Sequence, residues 1–144
     1  MDYLVSHFHI VTGVSILIVA FLFHWVGQLI SVLNWDFATR LGLQEKKLLP
    51  EHKVYEHGIA VADVSLGWIY GIAGLGLVIG APWAFKLAWI PGIVLIYHAI
   101  SYWFWTRNRN RAGHQMESNA IRILWTVANL ITGAMAIHVA WYGT

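Results

Sequence analysis

Residues 83–105, WAFKLAWIPGIVLIYHAISYWFW, constrain this chain more than any other stretch. A helix rises ~1.5 Å per residue and the hydrocarbon core of a bilayer is ~30 Å thick, so this segment can cross it. Trp83 and Phe85 stand at one end and Tyr102, Trp103, Phe104 and Trp105 at the other. Amphipathic rings favour those two positions, the membrane–water boundaries. Lys86 lies near the first end and His98 past the middle, with Pro91 between them. The proline removes a backbone donor and predicts a kink. An ionisable group at membrane depth is costly unless it snorkels or finds a partner. Partners at matching depths on the other apolar segments would offset that cost.

Of the 144 residues 58% are hydrophobic and 11% charged, whereas a soluble domain carries ~25% charged residues. Four apolar stretches, at about 4–33, 58–80, 83–105 and 118–142, predict an all-α membrane protein. The expected architecture is a four-transmembrane-helix bundle in one polytopic domain over residues 1–144, with a polar loop at 36–56. The first stretch has neither a basic leading region nor a small-residue cleavage site, and it reads as a retained helix. Cysteine is absent, which excludes disulfides, thiolate metal sites and cysteine nucleophiles. All Lys and Arg residues except Lys86 fall on the side of the first-to-second and third-to-fourth connections, counting Arg122 at the start of the fourth helix. That is a topology signal rather than a nucleic-acid footprint, and it puts both termini on the outer, non-cytoplasmic side of the bilayer.

At ~100° per residue, His9, Gly13, Ile16, Ala20, His24, Gly27 and Ser31 lie along one stripe of the first helix. Small and polar residues on a membrane helix form its packing face. His7 points nearly opposite to His9, toward headgroups. Between Asp36 and Glu56, residues 37–49 can form an interfacial amphipathic helix or a solvated connector. On the second helix Asp63, Gly67, Tyr70, Gly71 and Gly74 share a face, so Asp63 points into the bundle. On the fourth, Arg122, Thr126, Asn129 and Gly133 share a face and His138 points elsewhere.

Position along each helix then gives depth. His9, Lys86 and His138 form an outer layer; His24, Asp63, His98 and Arg122, one from each helix, form an inner one. His9 and His24 are ~22 Å apart along the axis. Imidazole is a common axial ligand of haem iron, and bundles build cofactor sites from facing helices. His24 and His98, at nearly equal depth, are therefore either a bis-histidine haem pair or structural hydrogen bonders. Asp63 and Arg122 read as a buried ion pair joining the second and fourth helices, with a proton relay as the alternative.

A histidine at the start of the first helix, a positively charged loop, Trp83-x-x-Lys86-Leu87-Ala88 and then Tyr97-His98 resemble the HemJ-type protoporphyrinogen oxidase family, small four-helix bacterial membrane enzymes. Arg122 and Leu124 match a further basic position. The resemblance spans all four helices and is specific at about seven residues. It implies haem b with His9 as its iron ligand, Lys86 beside the cofactor or the substrate carboxylates as the catalytic residue, and a bacterial inner-membrane location. His98 is the second metal-ligand candidate. The pattern is also similar to other small membrane haem or metal proteins.

Two function classes follow. One is a haem-b membrane redox protein that oxidises a porphyrinogen and passes electrons to a quinone. The other is a non-enzymatic accessory subunit of a larger respiratory or photosynthetic membrane complex, or a homo-oligomer, since short loops and nine tryptophans suit packing against other chains. A transporter is less well supported, because four helices without a repeat make a thin pathway.

Overall fold

Four long apolar helices dominate the computed structural model, which describes residues 7–44, 49–113 and 118–143. They run over Phe8–Leu33, Pro50–Val78, Pro82–Arg111 and Asn119–Tyr142, each long and apolar enough to cross a membrane. No strand occurs among the described residues. His9 stands beside Gly80, and Phe8 packs against His138 with ring centroids 5.4 Å apart. The start of the first helix, the last turns of the fourth and the turn between the second and third helices thus share one end of the bundle, here the terminal end. The arginine-rich connections form the other, the basic end.

The second helix starts earlier than its hydropathy suggests, at Pro50 rather than 58. Proline suits a first helical position because its missing N–H has no partner there anyway, and Glu51 complements the positive end of the helix. The polar loop is correspondingly shorter. Its helical part is Trp35–Arg40, capped by Asn34, whose side chain accepts from the Phe37 N–H at 2.9 Å. Residues 45–48 of the expected amphipathic helix lie outside the described residues.

Two helices depart from regularity. The first is π-helical over Leu17–Val26, between α-helical Phe8–Ile16 and Gly27–Leu33. Such segments are rare, often mark functional sites, and this one contains His24. The third helix is interrupted at Ala88, between Pro82–Leu87 and Trp89–Arg111. Pro91 explains the break: it has no N–H for the Leu87 carbonyl, and its ring crowds that carbonyl.

Packing is built on glycine. Leu17, Phe21 and Trp25 of the first helix sit over Gly74, Gly71 and Gly67 of the second. A Cβ added at those glycines would stand 2.8, 2.8 and 2.6 Å from the facing side chains. Trp25 Nε1 also donates to the Val64 carbonyl at 3.0 Å. The third and fourth helices cross at Gly92 and Gly133, where a Cβ on Gly133 would lie 2.9 Å from the Gly92 carbonyl oxygen. Gly80, with φ +68°, ends the second helix in the left-handed conformation that glycine adopts without strain. Ile16, Leu77, Ala84, Ala88, Leu95 and Ala136, all 0% exposed, gather toward the terminal end.

Candidate functional site

One polar side chain from each long helix meets at a single level of the bundle. His24 comes from the π-helical segment, Asp63 from the second helix, His98 from the third and Asn129 from the fourth. The His24 and His98 rings stack with centroids 4.7 Å apart and planes 30° apart. His98 Nε2 lies 3.6 Å from Asp63 Oδ1. His24 Nε2 lies 2.7 Å from Asn129 Oδ1, and Trp125 flanks the same imidazole at 5.0 Å.

Asn129 settles the tautomer of His24. Its Nδ2 donates to the Trp125 carbonyl at 2.8 Å, so Oδ1 is the atom turned toward the imidazole. An amide oxygen only accepts; His24 Nε2 therefore donates, and Nδ1 keeps the lone pair in the neutral ring. On the opposite side of the stack, Asp63 Oδ1 stands where a carboxylate would supply the counter-charge whenever His98 takes up a proton. Asp63 and His98 are each 16% exposed at the side chain, and charges interact strongly in so poorly hydrated a setting. The cluster can hold a proton at the Asp63–His98 pair and offers a basic nitrogen on the neighbouring His24.

The expected Asp63–Arg122 ion pair does not form. Asp63 pairs with His98, while the Arg122 guanidinium lies over the Trp103 ring, 4.6 Å from its centroid. The reason is depth. Arg122 sits about two turns nearer the basic end than Asn129, which stands at the level of the cluster. Asn129 is the residue that the sequence reading leaves out: it is placed on one face with Arg122, Thr126 and Gly133, and its depth is not matched to His24. The 0% exposure of this amide is what an inward-facing hydrogen-bonding role requires.

The His24–His98 pair also does not fit a bis-histidine haem. Axial imidazoles need their nitrogens facing one another across a porphyrin plane. Here the rings stack directly, with both Nε2 atoms turned away to Asn129 and Asp63. Among the described residues no group of three His, Asp or Glu side chains is arranged to hold a metal ion. His9 and His98 belong to different layers and do not share a ligand set.

At the terminal end, His9 is half-buried against Phe85, with ring centroids 5.8 Å apart. Its Nε2 lies beside Gly80, 3.7 Å from where a Cβ on that residue would stand. Lys86 occupies the same end but is exposed. His138 turns outward, in edge contact with Phe8 and 4.8 Å from the Tyr142 ring. It borders an open groove of about 400 Å³ lined mainly by Ile96, Ala134, Ile137 and Trp141. His7 is described only from its own position onward, at the start of the first helix.

Comparison with protein-family models, with curated proteins and with solved structures finds no match to this chain.

Proposed function

We propose that the protein is an integral membrane redox protein that takes up and releases the accompanying proton at the Asp63–His98–His24–Asn129 cluster. The observation that supports this reading is the convergence of one polar side chain from each helix, two of them stacked imidazoles. A membrane helix keeps such groups only at a cost, and they mark proton relays and cofactor sites. Asp63 would hold the proton on His98, and Asn129 would keep His24 in the tautomer whose Nδ1 can receive it.

The resemblance narrows the class to porphyrinogen oxidation with a quinone as electron acceptor. Haem b, which would supply one-electron chemistry, would be held here by a single protein ligand, His9, which stands beside Gly80 at the terminal end. Exposed Lys86 at the same end would meet a substrate carboxylate. On this reading the electron site lies at the terminal end and the proton site deeper in the bundle.

The optical spectrum of the purified protein tests the proposal. A Soret band with sharp α bands on reduction is expected, lost in His9→Ala and retained in His7→Ala and His24→Ala. A colourless, stable protein overturns the redox reading and leaves the accessory-subunit reading standing.

A further inference from the structure

Buried polar atoms without partners are distributed one-sidedly in this bundle. Gln28 Oε1, Asp63 Oδ2, Arg122 Nε and Thr126 Oγ1 are buried and have no hydrogen-bond partner among the described residues. Asp63 belongs to the cluster. Gln28 lies one turn from His24 toward the basic end, and Thr126 and Arg122 lie about one and two turns from Asn129 in the same direction. No such atom occurs toward the terminal end among the described residues.

Thr126 makes the point sharply. Thr12, Ser31, Thr39, Ser65 and Thr106 each turn their hydroxyl onto the carbonyl four residues earlier, at 2.7–2.9 Å. That bond is the usual refuge of a hydroxyl on a membrane helix. Thr126, only 9% exposed, does not take it. An unsatisfied polar atom in hydrocarbon or dry protein costs several kcal/mol, so four along one route require another donor or acceptor. Water is the group small enough to serve all four.

Beyond the cluster the backbones pack more closely. Gly13 and Gly74 bring two backbones together, as do Gly92 and Gly133. Ile16, Leu77, Leu95 and Ala136 fill the remaining interior. Thr12, the buried hydroxyl nearest the terminal end, is satisfied by the Phe8 carbonyl.

We infer that a water-filled path lined by Gln28, Thr126 and Arg122 leads from the basic end to Asp63 and His98, and that the packing beyond them is a dry barrier. The cluster therefore exchanges protons and small hydrophilic cations with one side of the membrane only. The inference rests on the proton-handling reading for its purpose, but the path is tested without it.

The chain contains no cysteine, so single thiols can be introduced without background. Gln28→Cys, Thr126→Cys, Leu77→Cys and Ala136→Cys are compared in vesicles of known orientation. The reagent is a membrane-impermeant, positively charged methanethiosulfonate. Burial in apolar surroundings suppresses the reactive thiolate, so a thiol in water should react at least ~10-fold faster than one in the dry barrier. The expected result is fast modification of Gln28→Cys and Thr126→Cys from the basic side only, with Leu77→Cys and Ala136→Cys inert from both sides. Equal, slow rates at all four positions overturn the path, as does modification of Thr126→Cys from the terminal side. Thr126→Cys is nearly isosteric, and Gln28→Cys reports independently on the same path. A colourless protein that shows this labelling pattern would refute the redox reading and leave the water path intact.

Discussion

The two halves of the bundle are built from the same four helices and packed by opposite means. Toward the terminal end, contact is made through absent side chains, with glycine against glycine and alanine filling what remains. Toward the basic end the helices are joined through rings and charges. Lys53 of the second helix lies over Trp35 at 5.4 Å, and Arg109 of the third helix reaches Glu56 of the second at 3.9 Å. Close backbone approach in lipid relies on van der Waals contact and tolerates no added bulk. Side chains reaching across a hydrated gap can readjust. The difference teaches where this protein can afford polar chemistry: at the seam, where tight packing stops and His24, Asp63, His98 and Asn129 meet.

The largest expected effect comes from breaking the tight half. A Cβ on Gly133 would already lie 2.9 Å from both the Gly92 carbonyl oxygen and Ile96 Cγ1. Gly133→Leu should destabilise the fold by ~3 kcal/mol or more, the upper range for overpacking. Gly58→Leu, at a position where nothing lies within 4 Å of an added Cβ, should change stability little. Thermal unfolding of both variants in detergent measures the difference, and similar losses would remove the distinction between the halves.

The seam comes next. Asn129→Leu removes the acceptor from His24 Nε2, at a site where the asparagine is wholly buried. Leaving a buried donor unsatisfied costs ~1–3 kcal/mol. Asn129→Asp keeps an acceptor and should recover part of the loss. A nitrogen-15 spectrum of His24 should show Nε2–H in the native chain and a tautomer mixture in Asn129→Leu. An unchanged tautomer would mean that the asparagine does not position the ring.

Much of this division was legible in the sequence. Gly13, Ile16, Ala20, His24, Gly27 and Ser31 are all buried along the stripe that helical phase assigns to them. The face holding Gly67, Tyr70, Gly71 and Gly74 is buried too, and His138 points away from the buried face of Thr126, Asn129 and Gly133. Those readings needed only periodicity. The π-helical segment was not legible, because LIVAFLFHWV contains neither proline nor glycine to signal it, and buried residues at Ile16, Ala20 and His24 suit either helix type. The partner of Asp63 was missed because charge complementarity favours Arg122 while depth favours His98. In a bundle depth decides, since a side chain spans far less than two turns of helix.

A smaller effect is expected at the basic end. Arg122 lies over Trp103 at 4.6 Å, and such a contact is worth ~0.5–1 kcal/mol where water has access and ~2 kcal/mol where it does not. Arg122→Gln should therefore cost less than ~1 kcal/mol if the path beside it is wet. A loss near 2 kcal/mol in thermal unfolding would argue that Arg122 sits in a dry environment.

The smallest effect is the sharpest probe, because one chemical change should have opposite signs in the two halves. Gly58 lies inside the second helix, with open space around the position of a Cβ. Glycine within a helix costs roughly 0.5–1 kcal/mol relative to alanine through its backbone freedom in the unfolded chain. Gly58→Ala should thus stabilise the protein by about 0.5 kcal/mol. Gly74 lies in the same helix and gains the same entropic benefit, yet its new Cβ would stand 2.8 Å from Leu17 Cγ and 3.0 Å from the Gly13 carbonyl oxygen. The leucine tip can rotate; the backbone carbonyl cannot move without separating the two helices. Gly74→Ala should therefore destabilise despite the identical substitution, and unfolding midpoints of the two variants measured side by side read the sign directly. If both variants are stabilised, the Gly13–Gly74 approach is looser than backbone contact, and the terminal half has room for more than it holds.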